Sequence, residues 1–323
     1  MPEPIALQFI ADRRAALLQR ETATVDRLIT TWQDVIAALD GEIERVAFDV
    51  STMEHVTESK LFRLARYRAL LEQAQTVLER YTTDAAAVID AERSYHADQG
   101  VQDAVGLLRA VGLTTGFDIL PQAAVTEIAL ATTPGGPLAD LLRAAYPDSY
   151  AGMTQALIRG VALGRNPRDT ARQMRQGLTQ GLNRVLTISR TETLRAYRES
   201  SRTTYERSGV VDGYTRICTR DRRSCAGCIA ADGTFYPLNT PFAHHPNCRC
   251  ALVPRVRGLR PVQYETAASW LQSQSAAVQQ DVMGKGVYKL VSEGKVRIVD
   301  LAKTVSDPVW GDAIVSKTLR DLL

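Results

Sequence analysis

The sequence predicts a mainly α N-terminal region followed by a small α+β C-terminal module with a structural zinc site. Three observations carry this fold class. Apolar residues recur at steps of three and four along the front of the chain, an arginine-rich amphipathic stretch occupies 182–207, and all five cysteines fall between Cys218 and Cys250. The first two are helical signatures, because a 3.6-residue period gathers such positions on one face. The third concentrates soft ligands in a segment too short to bury a core of its own.

Composition sets outer bounds. Hydrophobic residues make up 45% and charged residues 23% of 323, values of an ordinary globular protein, which exclude collagen-like, disulfide-dense and disordered classes. No apolar run reaches the roughly 18 residues of a membrane span, and the N-terminus lacks the basic start and apolar core of a signal peptide. The formal net charge of +3 is a cancellation. Residues 1–158 hold 13 basic and 22 acidic residues, whereas 159–223 hold 15 arginines against 6 acids and 224–323 hold 11 basic against 8 acidic. These shifts divide the chain into an acidic helical domain (1–158), an arginine-rich helical segment (159–210), a metal-binding β-rich knot (211–260) and a C-terminal α+β segment (261–323).

In the first region Val25, Leu28, Ile29, Trp32, Val35, Ile36, Leu39, Ile43 and Val46 form an apolar stripe. A second helix follows from Leu61, Leu64, Leu71, Ala74, Val77, Leu78 and Tyr81, and a third over about 84–111. Gly112 and Gly116 close the third, and Thr133–Pro137 reads as a turn from which Pro137 opens a short helix bearing Leu138, Leu141 and Leu142. Pro167 fits the first turn of the next helix, which runs through Met174. No strand-rich stretch precedes residue 210, and 1–158 shows no readable active site.

The stretch 182–207 is one helix, stopped near Gly209. Its arginines have two readings. Glu192 with Arg195, and Arg195 with Glu199, are spaced for intrahelical pairs, which makes Glu192 a structural residue of the helix. Alternatively Arg190, Arg195, Arg198 and Arg202 meet phosphate or an acidic partner, for which the guanidinium fork is suited. With no base-reading motif, any nucleic-acid contact would be to backbone.

The cysteines carry the strongest chemistry. Cys225-Ala-Gly-Cys228 is followed by His245-Pro-Asn-Cys248-Arg-Cys250. A two-residue-spaced thiol pair with a second cluster on the return strand is the spacing of a tetrahedral zinc site. Cys225 and Cys228 are the firmest ligands. Cys248 and Cys250 complete a four-cysteine set, or His245 replaces one of them; Cys218 and His244 stand outside. A full ligand set leaves no position for water, so the Zn2+ would be structural rather than catalytic. Asp232-Gly233 reads as a tight turn between strands at Cys228-Ile229 and Phe235-Tyr236. Further on, Val287–Val299 reads as two strands across Glu293-Gly294, and Trp310–Leu323 as helical or partly so.

Three blocks resemble the phage head morphogenesis family, the Mu F-like minor head proteins of tailed phages and prophages: ISRTETLRAY at 188–197, DRRSCAGCIAADG at 221–233 with HPNCRC at 245–250, and KLVSEGKVRIVDLAK at 289–303. The resemblance spans about 165–323. It implies a non-enzymatic minor capsid protein of the virion, associated in the host cytoplasm with portal, major capsid or scaffold protein during assembly. It also implies a role in packaging or ejecting double-stranded DNA, touched through its backbone, and no membrane partner. Two other readings stay open. One is a metal-dependent nuclease or hydrolase using His244 or His245 with Asp232; the other is a DNA-binding module without sequence preference. Gly284-Lys285-Gly286 is too short for a phosphate loop.

Overall fold

A computed structural model of the chain describes residues 4–53, 55–113 and 120–323. Eight helices come first: α1 (Ile5–Val50), α2 (Glu58–Leu61), α3 (Ala65–Ala110), α4 (Gln122–Leu130), α5 (Leu138–Arg143), α6 (Tyr146–Ala162), α7 (Pro167–Leu178) and α8 (Gln180–Arg207). Then follow β1 (Val211–Ile217), α9 (Ala226–Ala230), β2 (Phe235–Pro237), β3 (Ala251–Val256), α10 (Ala267–Ser273), α11 (Ala276–Met283) and α12 (Lys285–Ser292). A 3-10 turn (Ile298–Asp300), β4 (Ala302–Asp307), β5 (Gly311–Ser316) and α13 (Leu319–Leu322) complete the chain. The mainly helical front and small C-terminal sheet module agree with the expected class.

The chain forms two compact units, and both are discontinuous in sequence. One holds Met1–Gln19, Ala91–Gly135 and Arg190–Leu323; the other holds Arg20–Asp90 and Gly136–Ser189. These cut across the contiguous boundaries near 158, 210 and 260. The reason is length: α1 and α3 each run 46 residues, and a helix of that length outruns a single small core.

In the Arg20–Asp90 and Gly136–Ser189 unit, the stripe read from sequence is the core. Leu28, Trp32, Val35, Leu39, Ile43 and Val46 of α1 are buried, as are Leu70, Ala74, Leu78 and Tyr81 of α3. Trp32 meets Tyr81 edge to face with centroids 4.8 Å apart. The separately expected second and third helices are one, α3, because no glycine or proline interrupts Tyr81-Thr-Thr-Asp-Ala-Ala-Ala87. Pro137 does precede α5 and Pro167 does open α7, where Asn166 caps by accepting from the Arg168 amide at 2.9 Å.

Helices α6 and α7 form a hairpin whose backbones touch. A Cβ built on Gly177 would overlap the Gly152 backbone, and one on Gly152 would overlap the Gly177 carbonyl. Gly177→Ala is therefore expected to lower stability by about 1–3 kcal/mol, the usual cost of overpacking, measured as a fall in the denaturation midpoint at unchanged slope.

The other unit carries the strands. β1 is the centre of an antiparallel sheet ordered β2-β1-β3, and β4 pairs with β5. β1 and β3 align Ile217 with Ala251 and Thr215 with Val253. Tyr205, Tyr214, Ile229, Phe242, Leu252, Leu271 and Leu301 share one buried cluster with Cys218, Cys228, Cys248 and Cys250. Two expectations are corrected by these elements, and a third is met in part. Cys228-Ile229 lies in the short helix α9 rather than a strand, since Cys225 caps a turn that continues. Val287–Val299 holds α12 and the 3-10 turn rather than two strands, because Val287, Leu290 and Val291 are spaced for a helix face and Gly294, at φ +70°, ends it. Trp310–Leu323 is helical only in part: Leu319–Leu322 form α13, while Gly311–Ser316 form β5. Gly112, at φ +106°, does follow the end of α3, and Gly116 lies outside the described residues.

Candidate metal centre

Two turns bring the ligands together. Cys225 precedes α9 in an extended conformation, and its sulfur accepts from the Cys228 amide at 3.3 Å, so the first pair folds back on itself. The glycine between them is required: a Cβ on Gly227 would collide with the Val315 backbone of β5, and its amide donates to Ser316 Oγ at 2.8 Å. The second turn is His245-Pro246-Asn247-Cys248, closed by the Cys248 amide on the His245 carbonyl at 3.0 Å. Proline at the second position and positive φ at the third, +61° at Asn247, are the type II pattern, and asparagine tolerates that φ better than most residues. The turn holds His245 and Cys248 side by side.

The donors then fall into two groups, Cys225 with Cys228 and His245, and Cys228 with Cys248 and Cys250; within each, the ligand atoms lie within 4.8 Å of one another. His245 Nε2 is 3.3 Å from Cys225 Sγ and 3.2 Å from Cys228 Sγ. Its Nδ1 lies 2.8 Å from the Pro246 carbonyl. A carbonyl only accepts, so Nδ1 carries a proton and Nε2 is the atom aimed at the thiols, the arrangement by which ligating histidines are oriented. Cys228 and Cys248 sulfurs are 3.8 Å apart. All five cysteines are free thiols.

Electrostatics favour a cation. Hydrogen bonding from Cys228, then the neighbouring His245, lowers the Cys225 thiol to about 4. Contacts with Cys225, Cys248 and Cys250 hold the Cys228 thiol up, since thiolates crowded together oppose further ionisation. Arg216 of β1 is 1% exposed. It donates to the Ala243 carbonyl at 2.6 Å and to the sulfurs of both Cys228 and Cys248 at 3.4 Å. A buried guanidinium whose anionic partners are sulfurs fits a thiolate cluster, and a soft dication would let the other thiols ionise too.

The surrounding frame is polar and specific. Asp232 accepts from the Cys218 amide at 2.6 Å and the Ala267 amide at 2.7 Å, so the one carboxylate offered for hydrolysis is engaged in holding the loop. Arg249 reaches both oxygens of Asp221 at 3.1 and 3.2 Å. His244 is buried, donates Nδ1 to the Phe242 carbonyl at 3.2 Å and lies outside both donor groups. Burial, then the positive field of Arg198, lowers its pKa to about 3, keeping the ring neutral.

The arginines of α8 are mostly committed inward. Glu192, 2% exposed, pairs with Arg93 at 3.5 Å and Arg195 at 3.0 Å. Arg195 also donates to the Ala131 carbonyl at 2.8 Å. Arg202 pairs with Glu199 and Glu206 and donates to the Leu238 carbonyl. Arg190 is half-buried. Arg198 is buried, donating to the Cys250 carbonyl at 2.9 Å and to the Cys248 carbonyl. Asn247 adds a bond from its amide to Thr191 Oγ1 at 3.2 Å. Helix α8 is thus the platform beneath the ligand turn, tying the Arg-Thr-Glu helix to the HPNCRC block.

Sequence reasoning missed Arg216. Its only signal was a cation two positions before Cys218 in an otherwise apolar strand end.

No curated protein and no solved structure matches the chain. The KLVSEGKVRIVDLAK tail lies beyond the segment that a family model matches. That segment, residues 151–253, runs from α6 into β3, contains both the α8 platform and every candidate ligand, and matches the family described as Phage Mu protein F like protein, the Mu F-like family of phage head morphogenesis that these blocks resemble.

Proposed function

We propose that this chain is a minor capsid protein acting in phage head assembly at the portal, with its C-terminal module stabilised by structural zinc. The observation that supports the role most is the family match over 151–253. Zinc is favoured by the donor set, thiols and one imidazole in two tight turns, which suits a borderline-soft ion with no demand for water. Cys225, Cys228, Cys248, Cys250 and His245 would hold it. The hydrolase reading is the weaker one, because Asp232 is occupied by two backbone amides and His244 lies outside both donor groups. Mass spectrometry of purified virions and of emptied heads tests the role. The chain should appear in both with portal protein, in few copies; its absence from particles overturns the reading.

Contact with packaged DNA belongs to the same proposal, but at a different place from α8. Around the α6–α7 connection, Arg159 at the end of α6, Arg165 in the connection and Arg168 in the first turn of α7 are exposed and engage no carboxylate among the described residues. A contact made there is to phosphate, hence indifferent to sequence and sensitive to salt. Replacing all three by alanine should flatten log K against log salt by about 0.9 for each phosphate that an arginine no longer neutralises; an unchanged slope removes this site from the proposal.

A further inference from the structure

We infer that the cysteine knot is built to hold two thiophilic dications, with Cys228 and Cys248 as bridging thiolates shared between them. This rests on the zinc reading above and extends it from one ion to a binuclear cluster.

The starting point is the division of the donors. They do not form one group of four. They form two groups of three, with Cys228 in both. Cys248 belongs with Cys250 rather than with Cys225 and His245, yet its sulfur is only 3.8 Å from that of Cys228.

Cys218, outside both groups as the sulfurs stand, is the residue positioned to complete the second. The β1–β3 register sets Ile217 against Ala251, so one step further along the antiparallel ladder Cys218 faces Cys250. Both are buried in the same cluster as Cys228 and Cys248. The thiol left outside the ligand set by the sequence reading is therefore placed beside the second donor group.

Ligand counting then closes. Two tetrahedral ions need eight ligand positions. Six donors fill eight positions when two of them are shared. One ion would take Cys225, His245 and Cys228 with Cys248 drawn in from the other group; the second would take Cys228, Cys248 and Cys250 with Cys218 drawn in. A single ion served by Cys225, Cys228, His245 and Cys248 leaves Cys218 and Cys250 as a second buried pair with no task.

Charge closes as well. Two dications and five thiolates leave one negative charge, and Arg216 supplies one positive charge. Its Nη2 donates at 3.4 Å to Cys228 and Cys248 alike, the two sulfurs assigned as bridges.

The test is stoichiometric. Full-length chain, stripped with chelator under reducing conditions, is titrated with zinc and followed by native mass spectrometry. Two ions per chain are expected. Loading with cadmium instead should give two separate cadmium NMR resonances. One ion per chain overturns the binuclear assignment and leaves the single structural zinc standing; no ion overturns both. Cys218→Ser should hold one ion, and retention of two would remove Cys218 from the second set. Should that variant fail to fold, the wild-type stoichiometry decides alone.

Discussion

Cys228→Ser is expected to abolish ion binding and to melt the β2-β1-β3 sheet while leaving the α6–α7 hairpin folded. Cys228 is the one residue common to both donor groups, so its loss takes a ligand from each. It is also 3% exposed and packed in the cluster that contains Ile229, Phe242, Leu252 and Leu271. A serine hydroxyl there is a poor zinc ligand and a buried polar group. Structural zinc contributes about 10–16 kcal/mol in isolated finger peptides, and whole domains are stable by only about 5–15 kcal/mol. Even with the apolar cluster retained, losing a fraction of that contribution unfolds the module. Hydrogen exchange reads this directly. Amides of Val211–Ile217 and Ala251–Val256 should lose protection in the variant, while those of Tyr146–Ala162 keep theirs. Zinc content at wild-type level with protection unchanged in both strands would show that the ion does not hold the sheet.

Much of this arrangement was legible in the sequence, and what was not has identifiable causes. The stripe from Leu28 to Val46 was readable because its period is local, and Pro137 and Pro167 because helix starts tolerate proline. The ligand blocks were readable because CxxC and HPNC are turns whose function lies within four residues. Strand assignments at the C-terminus failed for a local reason. Glu293-Gly294 looks like a hairpin turn, but the Gly294 amide bonds to the Val291 carbonyl and the Lys295 amide to that of Leu290. That is the Schellman closure of a helix, and the same glycine serves either structure. The true hairpin turn is Asp307-Pro-Val-Trp-Gly311, where Asp307 accepts from the Val309 and Trp310 amides and Gly311 sits at φ +77°. The role of Arg198 was out of reach in principle. Its two acceptors are 50 and 52 positions away, and nothing in the periodicity of α8 distinguishes a guanidinium facing a carbonyl from one facing solvent.

Arg216→Met is the second large expected effect, and it separates charge from packing. Methionine fills part of the guanidinium's volume and removes its charge and all its donors. The Ala243 carbonyl and the sulfurs of Cys228 and Cys248 then lose their partner, in a site where the side chain also lies 4.4 Å from the Phe242 ring centroid. Removing one member of a buried charged set costs about 3–5 kcal/mol. Loss of a partner to a metal ligand commonly weakens metal affinity by about 10–100-fold. Competition against a chromophoric chelator should show that loss, and denaturant unfolding should show the lower midpoint. Arg216→Lys sharpens the interpretation. Lysine keeps the charge but cannot present the planar fork that reaches a carbonyl and two sulfurs together. If charge balance alone matters, the lysine variant should recover nearly full affinity; if the fork orients the two sulfurs, it should fall close to methionine. The fork geometry, with one nitrogen serving both sulfurs and another the Ala243 carbonyl, favours the second outcome. An Arg216→Met variant with wild-type affinity and stability would show that the thiolates need neither.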